Sequence, residues 1–213
     1  MERLDQYFKR IEKQVPTLQV LLESPQTNIA YQYSSTNLDQ KFHSASVGKV
    51  FCATLIFQAI DLKLLALDQK ICTILDTNRL ENLFVFQGVD YQREVTIQQL
   101  LSHTSGINDY FEGKTTDGTK FMNLVVNNTE HVFSPKELLD FTKTKQLAVG
   151  KPNDRFLYSD AGYILLGYIL ESIYQDSYAN ILQEKICRKL GLTSTVLCFH
   201  DENFTQDELA LIL

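Results

Sequence analysis

The sequence predicts a mixed α/β (α+β) fold in which helices flank an antiparallel sheet. Two strand-like runs, residues 18–22 and 29–33, lie close together near the start of the chain. Uncharged apolar runs at residues 50–60 and 164–170 are typical of helices in a protein core. A later run, residues 194–199, is a third candidate strand. Two or three strands make only a small sheet, so we expect the sheet to be incomplete in this chain.

Short-range signals support the first of these elements. Pro25 and Asn28, between the two early strands, favour a turn and so predict a hairpin. At the N-terminus, Leu4, Phe8 and Ile11 recur at helical spacing among charged residues. This pattern predicts an amphipathic helix that packs on the sheet.

The middle of the chain is predicted to be mostly helical. Ser134, followed by a proline and by Glu137, has the form of a capping box at a helix start. We expect residues 61–148 to form a helical subdomain, and residues 1–60 and 149–213 to form parts of one α/β domain.

Composition is that of a globular chain. Of the 213 residues, 44% are hydrophobic and 22% are charged, which is enough for a sizeable core. The net charge of −6 argues against nucleic acid or an acidic membrane surface as a partner. No signal peptide is recognisable, and the longest apolar run is too short to span a bilayer. We therefore expect a cytoplasmic location.

The cysteines and histidines show no metal-binding pattern. No two cysteines have Cys-x-x-Cys spacing, and no two histidines have the spacing of metal ligands. The residues are Cys52, Cys72, Cys187, Cys198, His43, His103, His131 and His200. We expect the thiols to be free and Cys52 to be buried and inert. We expect no cofactor or metal.

The strongest chemical signal is Ser46, three residues before Lys49 at the start of an apolar helix. At roughly 100° per residue, Ser46 and Lys49 lie about 60° apart, whereas Ser44 and Lys49 lie about 140° apart. Ser46 is therefore the candidate nucleophile. A lysine acts as its base only if burial or a nearby cation disfavours the ammonium. The alternative is that Ser46 only caps the helix and Lys49 extends to solvent.

A second signal is Tyr158-Ser159-Asp160 at the entry to the later apolar helix. In an extended segment, Tyr158 and Asp160 point the same way because the period of a strand is two. Tyr158 would then relay the Ser46 proton to a leaving group. The structural alternatives are a core aromatic for Tyr158 and a helix N-cap for Asp160.

Taken together, these stretches resemble the serine beta-lactamase and penicillin-binding-protein superfamily, and its class C (AmpC-like) branch in particular. That branch includes D,D-carboxypeptidases and esterases. The likeness is carried by residues 46–49, 64–71, 96–106 and 158–160. It implies a beta-lactamase/transpeptidase-like fold, with Ser46 as acylated nucleophile, Lys49 as its proton partner and Tyr158 as general base and acid.

The chain departs from the family pattern in two ways. Asp160 stands where the family has Asn, and an anion there is expected to raise the pKa of Lys49. The third family motif, Lys-Thr-Gly or His-x-Gly, is missing from the 213 residues. We therefore expect a C-terminally truncated product or fragment.

The segment around His103 looks catalytic but is interpreted as structural. Thr96 is a suitable cap for a short helix ending at Leu101, and Gly106 suits the turn that ends it. The resemblance also implies a structural role for this segment. In the same region, Tyr110, Phe111 and Phe121 either contact substrate or simply pack together.

The function predicted from the sequence is that of a serine hydrolase. It would form an acyl-enzyme at Ser46 with a small-molecule acyl substrate: a beta-lactam, a D-amino-acid peptide or a small ester. Asp160 would line the substrate site. The alternatives are a non-catalytic ligand-binding or scaffold protein of the same fold, or an inactive fragment. The sequence favours no oligomeric state.

Overall fold

The computed structural model describes residues 2–15, 17–38 and 40–198. The chain divides into two compact units: Met1–Ala45 with Leu197–Leu213, and Ser46–Val196. The predicted helical subdomain at residues 61–148 stays a prediction.

The first unit contains the predicted hairpin. Strand β1 (Gln19–Ser24) runs antiparallel to β2 (Ile29–Ser34). A single 3-10 turn, Pro25–Thr27, connects them, and Asn28 closes it in the left-handed conformation with φ 53°. Asn is among the few non-glycine residues that adopt this conformation readily, which is why the turn forms here.

Helix α1 (Glu2–Ile11) packs on this hairpin, as its apolar spacing predicts. The Phe8 ring stacks on Tyr31 with 5.8 Å between ring centroids. The hydroxyl of Tyr31 donates a 2.9 Å hydrogen bond to Asp5 Oδ1. Helix and sheet therefore share a small aromatic core in which the phenols of Tyr31 and Tyr33 both have hydrogen-bond partners.

The second unit is predominantly helical. Its helices are α2 (Gly48–Asp61), α3 (Thr77–Leu80), α4 (Ile97–Leu101), α5 (Phe121–Asn127), α6 (Pro135–Lys145), α7 (Asp160–Tyr174), α8 (Tyr178–Leu182) and α9 (Arg188–Leu190). A π-helical turn, Gln183–Cys187, joins α8 to α9. Two short strands, β3 (Val85–Phe86) and β4 (Val89–Asp90), pair antiparallel.

The core of this unit forms where α2 and α7 meet. Leu55 and Ile56 of α2 are fully buried, as are Leu165 and Ile169 of α7. Each such side chain stabilises the fold by about 1.5–3 kcal/mol relative to an exposed one. This core fixes where the first turn of each helix lies.

One face of α2 is not buried, contrary to the expectation of a wholly buried helix. Val50 is 63% exposed and Phe57 is 48% exposed. The apolar surface of α2 extends all round the helix, and its neighbours in the second unit cover only part of it.

The helix-start signals were read correctly. Thr96 and Gln99 form a capping box on α4, and Ser134 and Glu137 form another on α6. The strand predicted late in the chain was wrong, because residues 194–198 are turn and irregular backbone. Phe199, the last residue of that prediction, lies outside the described residues. No helix in the described ranges combines the length and apolar content needed to cross a bilayer.

Candidate active site

Two segments 112 residues apart in sequence meet at Ser46. The Tyr158 hydroxyl donates a 2.7 Å hydrogen bond to Ser46 Oγ. Ser46 lies in the 3-10 turn Ala45–Val47 that leads into α2, and Lys49 lies in the first turn of that helix. The structure thus brings together the serine and the phenol that the sequence singles out.

Lys49 is ion-paired with Asp160, and both side chains are mostly buried, at 19% and 25% exposed. Its Nζ also lies 4.8 Å from the ring centroid of Tyr158 and 5.7 Å from that of Tyr163. The predicted common orientation of Tyr158 and Asp160 is therefore observed, because both meet one ammonium.

The pKa of Lys49 reflects opposing effects. Burial alone lowers it, but hydrogen bonds to Asp160 and Tyr158 and the charge of Asp160 outweigh burial, so the pKa lies above its ordinary value of 10.5. This is the direction expected for a neighbouring anion. Burial in an apolar helix does not by itself turn Lys49 into a neutral base.

Asp160 is not the helix N-cap. Ser159 holds that position in an extended conformation, with φ −143° and ψ 120°, and its Oγ accepts a hydrogen bond from Gly162 N. Asp160 is the first residue of α7, where a carboxylate is favoured by the helix dipole. Because Ser159 caps the helix, the Asp160 side chain can turn toward Lys49.

His103 also belongs to this site, which sequence reasoning missed. Its Nδ1 accepts a 3.1 Å hydrogen bond from Ser159 N, and its ring lies 4.6 Å from the Tyr158 ring. Its backbone is left-handed, with φ 58°. Burial and the charge of Lys49 lower the pKa of His103 below 6.5, although Asp160 acts in the opposite direction. The polar run at residues 102–106 was the signal that could have located it.

A buried polar network supports the start of α7. Asp109, only 5% exposed, accepts the backbone N–H of Asp160 on Oδ1 at 2.8 Å. The Ser159 hydroxyl donates to Asn108 O, also at 2.8 Å, and Gln146 Nε2 donates to Asp109 O at 2.6 Å. Burial raises the pKa of Asp109, partly offset by its backbone hydrogen bonds. Sequence periodicity carries no signal for this network.

A cavity of about 590 Å³ opens beside these groups. It is lined by Ser46, Lys49, His103, Tyr158 and Tyr163, by the apolar Val50, Ala53 and Phe57 of α2, and by the polar Thr54, Gln58 and Asp61 of the same helix. The cavity can therefore hold a molecule with a polar reacting group and an apolar flank.

The aromatic residues of the middle region lie elsewhere. Phe121 is 6% exposed and packs edge-on against Tyr110, Phe133 and Phe141. Neither Phe121, Tyr110 nor Phe111 lines the cavity. For Phe121, ordinary packing is the correct reading.

The thiol of Cys52 lies one helical turn after Lys49 in α2. Cys52 is buried in α2, where burial raises the pKa of its thiol to about 12. Across residues 2–15, 17–38 and 40–198, no three His, Cys, Asp or Glu side chains are grouped so as to hold a metal ion. The groups around Ser46 are instead suited to moving a proton between a hydroxyl, a phenol and an ammonium.

Known proteins share this sequence pattern over part of their length. Penicillin-binding protein 4 of Amycolatopsis lactamdurans is 30% identical over 154 residues, which cover 72% of this chain and 35% of that protein. Penicillin-binding protein 4* of Bacillus subtilis (strain 168) is 29% identical over 155 residues, 72% of this chain and 30% of that protein. The chain spans about a third of the length of these curated relatives.

Solved structures share the fold. The octameric penicillin-binding protein homologue from Pyrococcus abyssi matches with a TM-score of 0.67 and 23% identity, over 90% of this chain and 43% of that one. The D-amino acid amidase from Ochrobactrum anthropi SV3, complexed with L-phenylalanine, matches with a TM-score of 0.67 and 20% identity, over 91% of this chain and 49% of that one. A sequence profile of the family described as Beta-lactamase matches residues 4–208. With a match of that extent, the chain belongs to the beta-lactamase family.

Proposed function

We propose that this chain carries the nucleophile of a serine hydrolase that acts through an acyl-enzyme. The observation that carries the proposal is the 2.7 Å hydrogen bond between Tyr158 and Ser46 Oγ. A serine hydroxyl is a weak nucleophile at neutral pH and requires a base within hydrogen-bond reach. Tyr158 is the group in that position.

The proposed proton path runs through Tyr158. In the reacting state Tyr158 has released its own proton to solvent, so its oxygen accepts the Ser46 proton as Ser46 Oγ bonds to the substrate carbonyl carbon. Tyr158 then gives this proton to the leaving group as the bond to that group breaks. Water completes the cycle: it gives a proton to Tyr158 as its oxygen bonds to the acyl carbon, and Tyr158 returns that proton to Ser46 Oγ as the bond from the acyl carbon to Ser46 breaks. Lys49, held as an ammonium 4.8 Å from the centroid of the phenol ring, stabilises the negative charge of Tyr158 in the stages where the phenol is deprotonated.

The substrate class we propose is a small molecule with a reactive acyl group: a beta-lactam, a D-amino-acid peptide or amide, or a small ester. Relatives with this fold include penicillin-binding proteins, a D-amino acid amidase, and a hydrolase titled as having promiscuous acyltransferase activity. The apolar wall made by Val50 and Phe57 would receive the substrate's non-reacting part. Membership of the class C branch stays a prediction.

A second candidate is a ligand-binding protein that retains the site without turnover. The observation that favours it is the Lys49–Asp160 ion pair, in which Asp160 already neutralises the ammonium that would otherwise stabilise an ionised Tyr158. Such a protein would bind an acyl compound in the cavity and leave Ser46 unmodified.

Intact-mass spectrometry distinguishes the two. The purified chain is incubated with a fluorescent penicillin and, separately, with a fluorophosphonate. The phosphorus of the fluorophosphonate bonds to Ser Oγ as fluoride leaves. The proposal predicts one adduct per chain, absent in Ser46→Ala and retained in Ser44→Ala, since Ser44 is an exposed serine two residues away. No adduct on a chain shown to be folded by circular dichroism would favour the binding protein. Labelling that persists in Ser46→Ala would refute the nucleophile.

A further inference from the structure

His103 contacts Tyr158 and the residues on either side of it in sequence. A residue that only forms a turn would not need these contacts. Besides the bond from Ser159 N to Nδ1, the His103 carbonyl accepts a 2.9 Å hydrogen bond from Leu157 N. His103 thus holds the backbone on both sides of Tyr158. Its ring also lies against the Tyr158 ring, with 4.6 Å between centroids and a tilt of 31°.

The imidazole is itself held in one orientation. Its ring lies 5.2 Å from Tyr163 and meets Phe156 edge-on at 5.8 Å. Because Nδ1 accepts the Ser159 N–H, the proton of the neutral imidazole is assigned to Nε2. One tautomer therefore fits the site.

We propose that His103 is a positioning residue that holds the Tyr158 phenol against Ser46 Oγ. Its left-handed backbone places the carbonyl and Nδ1 to receive the N–H groups of Leu157 and Ser159, and its ring limits the rotation of the Tyr158 ring. The proposal rests on the proposed function of Ser46 and Tyr158, and it assigns a task to a residue that the sequence pattern treats as structural.

Protonation of His103 would release this contact. A proton on Nδ1 removes the acceptor for Ser159 N–H. The titratable groups that face the imidazole are Lys49 on α2, Tyr158, and Asp160 and Tyr163 on α7. Lys49 and Asp160 affect the pKa of His103 in opposite directions. Since that pKa lies below 6.5, the loss of positioning would begin only in acid.

The test is a double-mutant cycle on the rate constant for fluorophosphonate labelling of Ser46. His103→Ala is expected to slow labelling about 10-fold when Tyr158 is present, and less than about 2-fold in Tyr158→Phe, because positioning matters only if the phenol is there. His103→Asn should restore most of the rate, since Asn tolerates positive φ and offers an amide oxygen as acceptor. If His103→Ala does not fold, His103→Asn and His103→Phe complete the cycle, because Phe retains a ring without the acceptor.

Two results would overturn the proposal: an equal loss in both backgrounds, or no loss in either. The pH profile is a second readout that a purely structural role would not change. The wild-type rate should fall in acid, and this fall should be absent in His103→Asn, whose side chain does not titrate. An acid fall that persists in His103→Asn would belong to another group and would contradict the inference.

If the proposed function itself is wrong, the wild-type chain will not be labelled at Ser46 at all. The tautomer of His103 can then be measured without any activity, by ¹⁵N NMR of the histidine-labelled chain, with His103→Asn to assign its signals. The inference expects an unprotonated Nδ1 and a protonated Nε2 in neutral solution. The opposite tautomer would overturn it.

Discussion

The Lys49 ammonium and the Asp160 carboxylate form an ion pair beside Tyr158, whose hydroxyl donates to Ser46 Oγ. The charge of Asp160 and the hydrogen bonds to Lys49 favour the charged form of Lys49. In the proposed mechanism Lys49 therefore contributes positive charge rather than proton abstraction, and Tyr158 carries the proton.

Replacing Asp160 by Asn should lower the pKa of Lys49, because the neutral amide removes the attractive charge while burial continues to disfavour the ammonium. Because the Lys49 charge supports the Tyr158 anion in the proposed mechanism, the rate of Ser46 labelling should fall as Lys49 loses its proton, and this alkaline fall should move to lower pH in Asp160→Asn. The measurement is the pH dependence of the labelling rate constant. Asp160→Glu, which keeps the charge, is the control and should leave the fall near its wild-type position. An unshifted fall in Asp160→Asn would show that Lys49 does not govern it.

Removing the Tyr158 hydroxyl should slow acylation strongly. Tyr158→Phe keeps the ring contacts with His103 and Lys49 but loses the partner of Ser46 Oγ. A loss of roughly 10²–10⁴-fold in labelling rate is expected for a general acid–base group. Tyr163→Phe is a matched control, since that hydroxyl lies in the same cavity wall but donates to Leu101 O. Equal effects of the two changes would argue against a special role for Tyr158.

Gly106 should be intolerant of any side chain. Its φ is +85°, and a Cβ there would lie 2.2 Å from Gly150 O, which is backbone and cannot move aside cheaply. Gly118 has a similar φ of +77° with nothing within 4 Å. Gly118→Ala should cost about 1–2 kcal/mol of unfolding free energy for the left-handed backbone alone. Gly106→Ala should cost a further ~1–3 kcal/mol for the overlap. Urea unfolding of both variants checks this, and equal losses would mean that the contact with Gly150 relaxes freely.

Asp109 should matter for stability although it does not line the cavity. Asp109→Ala leaves the backbone N–H groups of Asp160 and Glu112 without their acceptors. An unpaired buried donor costs about 1–3 kcal/mol, so the free energy of unfolding should fall by at least that amount. Asp68→Ala, at an exposed carboxylate, should change it by less than about 0.5 kcal/mol. A neutral result at Asp109 would show that the network at the start of α7 is dispensable.

Local signals in the sequence were sufficient for much of the fold. Turn chemistry at Pro25 and Asn28 predicts the hairpin, and the capping boxes at Thr96 and Ser134 predict two helix starts. These predictions succeed because a cap or a turn is satisfied by atoms only a few residues away. The prediction of a strand at residues 194–199 failed because a strand needs a partner strand, and the residues of this segment do not specify one.

The candidate site shows the same difference between relations within a short segment and relations that depend on packing. Serine and lysine one helical turn apart, and tyrosine and aspartate two residues apart, are relations within a short segment, so they can be read from the residues alone. The pairing of Asp160 with Lys49 and the placement of His103 against Tyr158 are not local. They depend on packing between α2, α4 and α7, which brings groups more than 50 residues apart into contact. Burial and charge at those contacts then set the protonation of Lys49, and neither exists until the chain has folded.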